Sequence, residues 1–106
     1  MWRRSPRARS SFEPMEMMPV TDILERTREY VRANFLYMRP DFVLGDDDPL
    51  LAKGVIDSMG VMEVIGFLSA EFGITIADEE ITEDNLGSLQ AIARFVATKQ
   101  RRTEAA

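Results

Sequence analysis

Three stretches of this chain hold residue types that could do chemistry: Asp46-Asp47-Asp48, Asp57-Ser58 and Asp78-Glu79-Glu80. Runs of carboxylates suit either a cation or a basic partner. Calcium loops, however, space their oxygen ligands at alternate positions, with a glycine and a distal Glu. Three adjacent aspartates do not match that spacing, so no specific metal site is expected. Asp57 and Ser58 have short polar side chains that accept from the free N–H groups of a helix start. Taken alone, that pair reads as a helix cap.

What the chain lacks narrows the field. Its 106 residues include no Cys and no His. That excludes disulfides, thiolate nucleophiles, Ser–His and Cys–His pairs, and histidine-ligated metals. An enzyme would need a carboxylate pair with shifted pKa values facing a pocket, and the acids here read as surface residues. A chain of this length makes one small domain with little room for a deep cleft. The formal net charge of −5 argues against a nucleic-acid partner. No stretch approaches the roughly 18 apolar residues of a membrane span. The opening MWRRSPRARSSFEPMEMMPV has arginines but lacks the apolar run of a secretory signal. The expectation is a cytoplasmic, monomeric, non-catalytic protein.

The elements that must position these residues are helical. Ile23, Leu24, Tyr30, Val31, Phe35 and Met38 recur at a helical period, with Thr27 and Asn34 filling the stripe. Thr21 reads as the N-cap of this first helix and Arg39-Pro40 as its stop. A loop of about seventeen residues follows; connections this long are usually functional. Its apolar residues Phe42, Val43, Leu44, Leu50, Leu51 and Val55 predict that it is pinned to the core. A second helix starts at Asp57-Ser58 and ends at Gly73, with Ile56 as a hydrophobic staple. Val64, Ile65, Leu68 and Phe72 are its predicted core face. Residues 78–85 form a short acidic turn or helix. Ser88 then caps a last helix to about Lys99, with Leu89, Ile92, Phe95 and Val96 facing inward.

The fold class predicted is all-α: a small bundle of three main helices plus one short helix, with a long loop after helix one. Residues 1–19 read as an Arg/Ser-rich lead too poor in large apolar groups to offset its ordering cost. Met15, Met17 and Met18 each offer an alternative start. Residues 20–99 form the domain, and 100–106 a frayed polar tail. Charge is uneven along the chain. Between residues 39 and 84 the only basic residues are Arg39 and Lys53, against twelve Asp and Glu. Such a field is either a plain solvated surface or one that orients basic partners.

The stretch Gly54-Val55-Ile56-Asp57-Ser58-Met59-Gly60 resembles the acyl carrier protein family, whose members present Asp-Ser-Leu at the start of their second helix. The resemblance continues through Glu63-Val64-Ile65, Leu68, Glu71-Phe72-Gly73-Ile74, Ile76, Asp78-Glu79-Glu80-Ile81, Ser88-Leu89 and Ile92-Ala93. It covers about residues 20–98. It implies that Ser58 carries 4′-phosphopantetheine, delivered from coenzyme A by a phosphopantetheinyl transferase that supplies the base and the metal. Asp57 would cap the helix and mark the site for that transferase. Met59, Met62 and Glu63, with Asp46, Asp47, Asp48, Asp78, Glu79 and Glu80, would dock acyl-loading and acyl-processing enzymes with basic surfaces. The implied function is to carry acyl thioesters in fatty-acid, lipid or polyketide-type biosynthesis. The alternatives are an aminoacyl carrier, such as a D-alanyl carrier, or an unmodified interaction module with this fold.

Departures from the family pattern bear on the partners. Met59 stands where Leu is usual, and Gly60, Ser69 and Ala70 stand where acids are frequent. The acidic field has moved off the second helix, into the loop before it and the segment after it. Val55-Ile56 replaces the Gly-Gly typical of peptidyl carriers. Gly66, in mid-helix, is read as room for a tethered chain or a closely approaching partner.

Overall fold

The computed structural model describes residues 18–105. Helix α1 spans Val20–Phe35, α2 Ser58–Phe72, α3 Glu83–Leu86 and α4 Leu89–Ala105. A 3-10 turn, Asp78–Glu80, precedes α3. Together the turn and α3 are the short acidic piece expected over residues 78–85. No strand occurs among the described residues. The predicted all-α bundle of three main helices and one short one is the observed architecture. Of the lead expected over residues 1–19, residues 1–17 lie outside the described residues.

Helix α1 forms because Ile23, Leu24, Thr27 and Val31 make one buried stripe. Thr27 is polar and fully buried, but its hydroxyl donates to the Ile23 carbonyl at 2.8 Å. Both ends of α1 differ from the sequence reading. Pro19, not Thr21, stands at the N-cap, and its carbonyl accepts from the N–H groups of Asp22 and Ile23. Proline's fixed φ suits a helix start, and Thr21 lies inside the first turn. The helix stops at Phe35, before Pro40 can act. Leu36 turns into the core at 1% exposure, while Tyr37 and Met38 point outward. Met38 and Asn34 are therefore exposed and do not continue the stripe. At that point Phe35 lies against Gly60, in the first turn of α2.

Helix α2 runs antiparallel to α1. Phe35 meets Gly60, the Tyr30 ring stacks on Phe67 at 4.0 Å, and Arg26 pairs with Glu71. Val64, Leu68 and Phe72 supply its core face, and Ile65 is half-buried. Gly73 ends α2 in the left-handed conformation at φ 67°, where a Cβ would be strained. Helix α4 sits at the centre of the bundle and packs against α1, α2 and α3. The Ser88 hydroxyl caps it by accepting from the Ala91 N–H at 3.1 Å. Its buried face is Leu89, Ile92, Ala93, Val96 and Ala97. Each large aliphatic side chain so buried contributes about 1.5–3 kcal/mol.

Helix α4 also continues past Lys99, to Ala105. Gln100 is tied into the fold, contrary to the expectation that the tail frays from there. Its side-chain oxygen accepts from the Met18 N–H, and its amide donates to the Phe72 carbonyl. These bonds fix the start of the described chain beside the C-terminal end of α2.

The long connection from Leu36 to Asp57 is held in two ways. Leu44, Leu50, Val55 and Ile56 are buried, whereas Val43 and Leu51 are exposed, so the pinning is only partial. Arginines also stitch it down. Arg28 donates to the Leu44 carbonyl and pairs with Asp46. Arg32 donates to the carbonyls of Phe42 and Pro40, both at 3.1 Å. Arg39 reaches the Gly54 carbonyl and lies over the Phe42 ring. Two backbone bonds fasten the connection to the α3–α4 junction, Leu50 N–H to the Gly87 carbonyl and Gln90 N–H to the Asp46 carbonyl, each at 2.8 Å.

Candidate functional site

The end of this stitched connection delivers Asp57 and Ser58 to the start of α2. Asp57 is extended, and its carboxylate accepts from the Gly60 N–H at 2.8 Å. Its carbonyl accepts from the Val61 N–H. Asp57 is therefore the N-cap, as expected. Ser58 is the first helical residue and is exposed. It sits at the positive end of a helix of about four turns, a position suited to an anion.

Gly60 has a role that sequence reasoning missed. It is buried, and a Cβ there would lie 3.0 Å from the Phe35 ring and 3.1 Å from the Ile56 Cβ. The absence of an acid at this position follows from packing, because a carboxylate would sit against Phe35. No local signal marks this contact, since Phe35 is distant in sequence. Gly66 has different surroundings. It is exposed, with nothing within 4 Å of its added Cβ. It lines neither cavity beside Ser58, so the structure does not bear out room there for a tethered chain.

Two open cavities meet at Ser58. One, of about 380 Å³, is walled by Leu50, Ile56, Val61, Met62, Ile81 and Leu86, with Thr82 and Glu83 at its polar edge. The other, of about 620 Å³, is bounded by Phe35, Leu51, Gly54, Met59 and Glu63. Met59 is 77% exposed and Met62 59%. The structure thus brings together Asp57, Ser58, Met59, Met62 and Glu63. Phe35, Ile81 and Leu86 join from other elements, and no spacing in the sequence announced them.

The expected docking acids do not behave alike. Asp46 is held by Arg28, and Asp48 folds back on the Gly45 N–H and lies near Lys53. Glu80 accepts from the Ala77 N–H and from the Lys99 ammonium, at 2.9 Å in both cases. That backbone bond, then Lys99, holds its carboxyl below the usual carboxylate range. Glu80 lines a separate cavity with Arg94, Lys99 and Arg102. Each of these three acids has a partner within the chain. Asp47, Asp78 and Glu79 are exposed. Among the described residues, no group of three or more acids is arranged to hold a metal ion. Behind the site, burial and, to a lesser degree, the Glu63 carboxylate push the Tyr30 phenol up.

A phosphodiester arm fits this geometry. It needs an accessible hydroxyl, unpaired N–H groups for its oxygens, and a surface along which to lie. Ser58, the first turn of α2 and the two cavities meet those needs. A comparison with protein-family descriptions matches residues 33–96 to the phosphopantetheine attachment site. A comparison with curated proteins finds no match. The matched segment runs from the end of α1 to the middle of α4 and includes the whole site. The chain therefore belongs to the phosphopantetheine-attachment family, the carrier proteins that bear 4′-phosphopantetheine covalently.

Proposed function

We propose that Ser58 is the attachment residue and that the chain carries acyl groups as thioesters between partner enzymes. The observation that carries this reading is the exposed Ser58 hydroxyl at the first turn of α2, on the rim of an apolar groove. A transferase would take the serine proton, the serine oxygen would bond to the phosphorus of coenzyme A, and the adenosine bisphosphate would leave. Once attached, the arm supplies the thiol that this chain lacks.

The chain's own residues do the rest. Asp57 holds the helix start and so fixes where the Ser58 oxygen points. The Ser58 and Met59 N–H groups, which Asp57 does not occupy, would be available to the phosphodiester. Leu50, Ile56, Val61, Ile81 and Leu86 give an acyl chain an apolar surface that excludes water from it. The aliphatic lining favours fatty-acid, lipid or polyketide-type cargo. Met59 and Met62 give partners an adaptable apolar contact, and Glu63 sets a charge beside it. No catalytic step falls to the chain, and its partners act on it in the cytoplasm. No helix among the described residues is long and apolar enough to cross a membrane.

The test is the intact mass of the protein after incubation with coenzyme A, magnesium and a broad-specificity phosphopantetheinyl transferase. We expect one phosphopantetheinyl group on the wild type and none on Ser58→Ala. An unmodified wild type, shown to be folded, would leave an interaction module.

A further inference from the structure

The surface around Ser58 has a sign. Neither cavity beside it is lined by a Lys or Arg, while Asp57, Glu63 and Glu83 are all present. No described group forms an ion pair with Glu63 or Glu83. Between them stand the exposed Met59, Met62 and Leu51. An occupant with positive charge and apolar side chains would complement this surface. This chain has such a segment of its own. Its first twelve residues hold Arg3, Arg4, Arg7 and Arg9 together with Trp2 and Phe12, and they contain no acid.

The geometry allows the two to meet. The described chain starts at Met18, tied through Gln100 to the Phe72 end of α2. Ser58 is at the other end of that helix, roughly 21 Å away at about 1.5 Å per residue. Met18 lies nine positions after Arg9, a reach of about 30 Å when extended, and fifteen positions after Arg3, a reach of about 50 Å. A tether long enough to bridge the gap without far exceeding it gives an effective concentration in the millimolar range. At that concentration a few exposed charge pairs and one aromatic–methionine contact suffice for partial occupancy.

We propose that the basic segment Arg3–Phe12 docks in cis on the acidic, methionine-bearing surface around Ser58 and competes with enzymes that approach it. The occupant is this segment, not a second copy and not a membrane. The competition rests on Ser58 being the attachment residue; the docking itself does not. Docking is weak and ionic, so it fades as salt shortens the Debye length from about 10 Å at 0.1 M towards 3 Å at 1 M.

The absence of cysteine makes the test clean. A Ser5→Cys variant of the full chain takes a single spin label. Cis docking predicts broadening of the Met59 and Met62 methyl resonances at low salt. It further predicts loss of that broadening at high salt and in a chain that also carries Arg→Glu at positions 3, 4, 7 and 9. Broadening spread evenly over the α4 face, or none at Met59 and Met62, overturns the proposal. So does broadening that appears only when the spin-labelled chain, at natural abundance, is mixed with an unlabelled, isotope-enriched one, which would mean a second copy. With a transferase at low salt, the charge-reversed chain should be modified about two- to tenfold faster, since the competent fraction rises. An unchanged rate overturns the competition. Broadening on a protein that no transferase modifies would keep the docking and remove the carrier reading instead.

Discussion

The connection that leads into α2 and the surface around Ser58 adjoin each other, yet their polar groups are used in opposite ways. In the connection, Arg28, Arg32 and Arg39 all bind groups of the chain itself. Around Ser58, Met59, Met62 and Glu63 face solvent. The first region is built by long-range bonds and the second is left open. The difference teaches that charge alone does not mark an open surface in this protein. Asp46 and Glu63 look equivalent in the sequence, but only Glu63 stands at Ser58 without a cation beside it.

The largest expected effect breaks the built side. Arg28→Ala removes the donor to the Leu44 carbonyl, whose residue is 4% exposed, and the partner of Asp46. A buried acceptor left unpaired costs about 1–3 kcal/mol. Urea denaturation should show a loss of that size with an unchanged slope. An unchanged midpoint would mean that the arginines decorate the connection without holding it.

The two glycines of α2 sharpen the comparison next. Gly60→Ala places a methyl against Phe35, Ile56 and the capping Asp57 carboxylate. Overpacking of this kind costs about 1–2 kcal/mol, more than the gain in helix propensity. Gly66→Ala meets nothing and should stabilise by about 0.5–1 kcal/mol. Thermal melts of the two variants should move in opposite directions; shifts of the same sign would refute the assignment of one glycine to packing and the other to solvent.

A smaller effect reads the acids. Because the folded protein holds Glu80 below its ordinary pKa, ionised Glu80 stabilises the fold. That contribution is fully present above the unfolded value of 4.5 and is lost as pH falls through the lowered folded value. The stability gap between wild type and Glu80→Gln should be constant from about pH 6 upward and close in acid. A gap that stayed open in acid would assign the difference to something other than the Ala77 and Lys99 contacts.

The smallest stability effect is expected at the open surface. Met59→Ala and Met62→Ala should each change stability by less than about 0.5 kcal/mol. If they meet partners as proposed, both variants should nevertheless slow modification of Ser58. A large loss of stability in either variant would move that methionine from the docking surface into the fold.

The parts of the fold legible in the sequence are those decided within a few residues. The Asp57 cap, the left-handed Gly73 and the Ser88 cap all bond within three or four positions, so residue type and spacing reveal them. The helical periods of α2 and α4 are equally local, since the buried face recurs every three to four residues. Ser58 was legible because its surroundings form one short, ordered pattern. The end of α1 was not. The Arg39-Pro40 stop lies four residues further on; that α1 ends at Phe35, where α2 begins opposite it, depends on a contact distant in sequence. The acids that remain open to partners were also beyond the sequence, since pairing Asp46 with Arg28 or Glu80 with Lys99 depends on elements distant in the chain. The sequence by itself determined the helices, their caps and a serine at a helix start. Only the tertiary structure decided which side chains line the groove at Ser58 and which charges stay open to partners, because both depend on contacts between residues that the chain's order keeps apart.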